Sequence, residues 1–96
     1  MLHQIDENKA KMVAKLLKHW QAGEVAEQAW LSDYCGSRYD QLLEMHACLR
    51  TLFPYDRELA YSWVTTTNRA FDGRMPLDVM LNEPNGVAHA LHYLRC

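Results

Sequence analysis

Apolar residues recur at helical spacing along most of the chain. Val13, Leu16, Leu17 and Trp20 fall at i, i+3, i+4 and i+7, the stripe of an amphipathic helix, so a first helix is predicted over 6–22. Asp6 is its expected N-cap and Gly23 its expected stop. Lys11, Lys15 and Lys18 fall on another face, as charge does on most solvated helix surfaces. A short second helix is predicted over 24–34, with Val25, Ala29 and Trp30 inward, broken at Gly36-Ser37. A third, over 38–53, carries the stripe Leu42, Met45, Leu49, Leu52 and Phe53, with Leu43 and Cys48 on its flanks. Pro54 stops it, because the residue before a proline is pushed out of helical geometry. A fourth starts near Asp56 and carries Leu59, Ala60, Trp63 and Val64.

Beyond Val64 the period is lost. Thr65-Thr66-Thr67-Asn68 is a run of helix-poor residues that favour caps. Arg69-Ala70-Phe71 has room for one helical turn before Asp72-Gly73 forces a reversal. Pro76 suits the first position of a short helix ending near Leu81. Glu83-Pro84-Asn85-Gly86 is a second break. A last helix, 86–95, places Val87, Ala90, Leu91 and Leu94 on one face. No stretch alternates apolar and polar residues with β-branched enrichment. The expected fold is therefore all-α: a compact single domain of five or six short helices.

Composition narrows the function. At 96 residues the chain is one domain's worth of protein, and 49% hydrophobic residues is enough to offset chain entropy. The net charge of −2 argues against a protein that works mainly by neutralising phosphate backbones. No apolar run approaches the roughly 18 residues a membrane span needs, and the first residues lack a basic start followed by an apolar core. Cys35, Cys48 and Cys96 are odd in number and have no CxxC spacing, a poor framework for disulfides or zinc. The expectation is a reduced, cytoplasmic protein.

Candidate chemistry is thin. His89 and His92 are three apart, with Cys96 four further on, but no third ligand lies close in sequence, so no metal site is expected. His46 and Cys48, two apart in one helix, point in different directions. No glycine-rich phosphate loop, G-x-S-x-G or H-E-x-x-H occurs. No catalytic residue and no cofactor are expected, and the chain is read as a non-enzyme. Trp20, Trp30 and Trp63 sit on apolar stripes as core or interface anchors.

Read as a string, the second half is specific. It runs Leu49-Arg50-Thr51-Leu52-Phe53-Pro54, then Ala60-Tyr61-Ser62-Trp63-Val64, then Asn68-Arg69-Ala70-Phe71-Asp72-Gly73-Arg74-Met75-Pro76-Leu77-Asp78, then Gly86 and Tyr93-Leu94. A tryptophan, the motif Asn-x-x-Phe-x-Gly-x-x-Pro-Leu-Asp, a glycine and a closing helix resemble the C-terminal toxin-binding domain of the Xre/MbcA/ParS antitoxin family over 39–96. Residues 1–38 would then be N-terminal helices with a reduced or absent helix-turn-helix. Trp63, Phe71, Gly73, Pro76, Leu77 and Gly86 carry the motif and are expected to be architectural. Asn68 can cap the following turn through its side-chain oxygen.

The resemblance implies an antitoxin of a type II toxin-antitoxin system. Its partner would be a RES-type toxin that consumes NAD, neutralised by occlusion of the active site. Such antitoxins often dimerise, and many bind operator DNA through an N-terminal helix-turn-helix. Here 24–39 leaves no room for a recognition helix, and 1–38 carries five basic and five acidic residues, which makes DNA binding doubtful. The chain ends soon after the closing helix, so any plug is expected to use the last helical turn. Asn68, Arg69, Arg74, His89, His92, Tyr93 and Arg95 are the expected partner-binding residues, with Tyr93 outweighing any single arginine. Two other readings compete: a helix-turn-helix transcriptional regulator, and a stand-alone protein-interaction domain.

Overall fold

The structure is a computed structural model, and it describes residues 7–31 and 36–95. Among them are six α-helices: α1 (Glu7–His19), α2 (Glu24–Leu31), α3 (Gly36–Leu52), α4 (Arg57–Ser62), α5 (Pro76–Asn82) and α6 (Gly86–Arg95). Two 3₁₀ turns, Trp63–Thr65 and Arg69–Phe71, join α4 to α5. The all-helical expectation holds, with one isolated antiparallel bridge between Asn68 and Arg74 among the described residues. No helix among them is long and apolar enough to cross a membrane.

α1 buries Val13, Leu16 and Leu17, and Trp20 just past its end is buried with them, as the period predicts. Its expected cap Asp6 lies outside the described residues. The helix stops earlier than Gly23. Gln21 turns left-handed at φ 55°, the Gln21 amide donates to the Lys18 carbonyl, and the Ala22 amide donates to the Leu17 carbonyl, each at 3.0 Å. That paired closure satisfies carbonyls the helix end would otherwise orphan. Ala22 is buried beneath it.

Of the residues expected inward on α2, Trp30 is buried but Val25, 72% exposed, and Ala29 are not. Ala26 is buried with Trp30. An indole has far more apolar area to hide than an isopropyl group, so the helix turns to bury Trp30 and the residue one turn before it. α3 begins at Gly36, where a break was expected. It is the central helix, packed against α1, α4 and α6, with Tyr39, Leu42, Met45 and Leu49 buried. Leu52 falls off the expected stripe at 54% exposed, while Phe53 is partly buried against the core. The chain is already leaving the helix at this point, and Phe53 closes the stripe in its place.

Asp56 caps α4 by accepting from the Leu59 amide at 3.0 Å. Leu59 itself points out, while Ala60 and, beyond the helix end, Val64 are buried. The α-helix gives way after Ser62 because the Ser62 carbonyl accepts from the Thr65 and Thr66 hydroxyls, at 3.2 and 2.8 Å. Side-chain bonds of this kind compete with the helical ladder. The buried residues of all six helices form one core.

Candidate functional site

The loop 68–74 is built around Asn68. Its side-chain oxygen accepts from the Ala70 amide at 2.9 Å. Its carbonyl accepts from the Phe71 and Gly73 amides, and its own amide donates to the Arg74 carbonyl, all at 3.0 Å. Asp72 and Gly73 complete the reversal in left-handed conformations, φ 58° and 79°. Asn68 was expected to touch a partner as well as to cap. Its backbone amide, its carbonyl and its side-chain oxygen all serve the loop.

The loop presents Phe71 to the closing helix. Phe71 is buried and meets Trp63 edge-on with ring centroids 6.2 Å apart. It also meets Tyr93 at 5.4 Å and His89 at 5.4 Å, both edge-on. Tyr93 in turn stacks on Trp63 at 6.2 Å, with the rings 16° from parallel. Edge-to-face and offset-stacked pairs of this kind add to simple burial. Tyr93 nonetheless remains 44% exposed. It is an aromatic ring held on one side and open on the other.

Charge ties the same region together. Glu83, at the end of α5, accepts from Arg74 at 2.8 Å through one carboxylate oxygen and faces His89 Nδ1 at 3.5 Å through the other. Arg95 pairs with Glu44 of α3 at 2.7 Å. Two of the three expected arginines are therefore engaged within the chain, in half-exposed pairs of the kind that contribute ~0–1 kcal/mol. Arg69 is exposed, and among the described residues no carboxylate pairs with its guanidinium. His92 is exposed on α6. Glu83 and Glu44 were not singled out from the sequence, and nothing in the local pattern distinguishes them from other surface acids.

Pro76 opens α5 and is buried with Leu77. Gly86 opens α6 for a reason the sequence does not reveal: a Cβ there would lie 1.9 Å from the Val79 carbonyl oxygen and 2.8 Å from the Met80 Cα. The α6 start thus rests directly on the backbone of α5. The inner face of α6 is Val87, Ala90, Leu91 and Leu94, all buried, and the outer face carries His89, His92, Tyr93 and Arg95. Among the described residues no three His, Cys, Asp or Glu side chains converge to hold a metal ion. Cys35 and Cys96 lie outside them.

Residues 48–94 match the family model of the antitoxin Xre/MbcA/ParS C-terminal toxin-binding domain. The match lies inside the 39–96 span that resembled this family. It takes in the end of α3, Trp63, the Asn68–Arg74 loop, α5 and nearly all of α6. No curated protein and no solved structure matched the chain. The aromatic cluster, the capped loop and the glycine contact between α5 and α6 all fall within one recognised unit: residues 48–94 of this chain are a toxin-binding domain of the Xre/MbcA/ParS antitoxin family.

Proposed function

We propose that this chain is the antitoxin of a type II toxin-antitoxin pair, and that it neutralises a RES-type, NAD-consuming toxin by covering the toxin's active site. The contact surface in this reading is the outer side of α6 together with the loop 68–74. The observation that carries it is the setting of Tyr93. Its ring is fixed by Trp63 and Phe71 yet presents 44% of its surface. A rigid, half-open tyrosine is the kind of anchor that dominates protein interfaces, because little side-chain entropy remains to be lost on binding. Arg69, exposed in the loop 68–74, can meet an acidic rim, while Arg74 and Arg95 would first have to leave Glu83 and Glu44.

The test is rescue of cells expressing a RES-type toxin by co-expression of this chain. Tyr93→Ala is expected to lose rescue and to weaken co-purification of the toxin at least tenfold. Arg69→Ala should weaken it less, and Tyr93→Phe should retain it. Circular dichroism establishes first that each variant is helical. Full rescue by a folded Tyr93→Ala protein would show that this face is not the inhibitory one.

The alternative of a DNA-binding regulator finds less support. The helix after α2 is α3, and its Tyr39, Leu42, Met45 and Leu49 are buried in the core rather than available to a DNA groove.

A further inference from the structure

A second concave surface lies where α1 meets α3 and α4, and it shares no residue with the Tyr93 cluster. It is a groove of about 480 Å³, within the range of small-ligand sites. Lys15 and His19 line it from α1, His46 and Arg50 from α3, and Arg57 and Tyr61 from α4. Five nitrogen bases converge there in a chain whose net charge is −2, and among the described residues no carboxylate lines it. Glu58 lines a separate hollow beside His19 and Tyr61.

Two features indicate that the groove is built rather than accidental. The rings of His19, Tyr61 and His46 form a stack, with centroids 4.6 and 5.7 Å apart and planes within 11° and 2° of parallel. This stack fixes both imidazoles relative to each other. Among the described residues Arg50 Nη1 and His46 Nδ1 are buried without a hydrogen-bond partner, and an orphaned charged donor is costly unless something pairs with it. Burial, then Arg50, then His19 lower the basicity of His46, as expected where cations crowd without a counter-charge.

We propose that this groove binds a phosphate-bearing small molecule, with Lys15, Arg50 and Arg57 as its permanent cations and His19 and His46 as donors fixed by the Tyr61 stack. A compact pocket with three permanent charges suits a phosphate or pyrophosphate group. A duplex backbone needs a stripe of charge along a surface instead. The site joins α1 to the toxin-binding domain, so its ligand would stabilise the docking of the N-terminal helix. The inference is independent of which toxin the domain binds.

The probe is inorganic pyrophosphate, added to the full chain at constant ionic strength set with KCl, at pH 7. The expected result is a saturable rise in melting temperature, as for any ligand that binds only the folded state. An upward shift in the His46 titration midpoint, followed by NMR, should accompany it. Lys15→Gln and Arg57→Gln remove exposed charges and should leave the fold intact. Each is expected to weaken pyrophosphate binding at least fivefold, while Lys11→Gln, outside the groove, should not. No rise in the wild-type chain, or an equal rise in the Lys15 and Arg57 variants, would overturn the proposal. So would a DNA duplex that competes for the groove while pyrophosphate does not.

Discussion

His46 is a titratable group held against its ordinary behaviour. Burial is the main cause, and the charges of Arg50 on the same helix and His19 on α1 add to it. Tyr61 of α4 stacks on its ring, and Lys15 and Arg57 line the same groove. Its folded-state pKa therefore lies below the unfolded value of about 6.5. Between those two values the unfolded chain binds the extra proton, so stability rises with pH across that window. The contribution is fully present above pH ~6.5 and is lost as pH falls through the folded-state value. The melting temperature is accordingly expected to drop between pH 7.5 and pH 5. In His46→Gln, followed by circular dichroism, that drop should be visibly shallower. An unchanged slope would mean that other groups carry the acid sensitivity.

At the scale of elements, two glycines of the family motif do different physical work. Gly73 is needed for its conformation: φ is 79°, with nothing within 4 Å of where a Cβ would stand. Gly73→Ala should cost about 1 kcal/mol, the usual penalty for a left-handed alanine. Gly86 is needed for its absence of bulk, because a Cβ there would lie 1.9 Å from the Val79 carbonyl oxygen. Gly86→Ala must push α6 off α5, and that also disturbs Val87 and the Tyr93 cluster further along the same helix. A loss of about 3 kcal/mol is expected, at the upper end for overpacking. For a domain this small, that is a drop in melting temperature of roughly 12–24 °C. Comparing the two variants by thermal melting checks the distinction, and equal losses would contradict it. The closing helix is thus held at its start by backbone contact, along its length by the apolar face, and near its end by Tyr93 on Trp63 and by Arg95 on Glu44.

At the scale of the molecule, charge is unevenly spread. The acids Glu83 and Glu44 are spent pairing Arg74, His89 and Arg95 around α6. Lys15, Arg50 and Arg57 gather instead where α1 crosses α3 and α4. A cluster of three permanent cations on a chain of net charge −2 is too small for tight nucleic-acid binding by counterion release. In a gel-shift experiment with its upstream DNA at ~150 mM salt, the isolated chain should form no sequence-specific nanomolar complex. Any association should vanish with added salt. A specific complex that survives would restore the regulator reading.

The sequence was most informative where local rules suffice. The stripes of α1 and α6, the Asn68 cap, the Asp72-Gly73 reversal and Pro76 at the start of α5 each depend on neighbours within a few positions, and each was legible before the fold was known. So was the family motif, because it is largely made of such local devices. What depended on competition between distant groups was not legible. The phase of α2 was set by the larger area of Trp30 rather than by its own period. Leu52 lost its place to Phe53 at the edge of α3. The pairing of Arg74 and Arg95 with Glu83 and Glu44, which among the described residues leaves Arg69 without a carboxylate partner, required α5, α3 and α6 to be in position first. Gly86 looked like a break, and only its approach to the α5 backbone explains why no larger residue fits. The groove of Lys15, His46, Arg50 and Arg57 has no signature along the chain, because its charges come from three helices whose residues meet only after the core has closed.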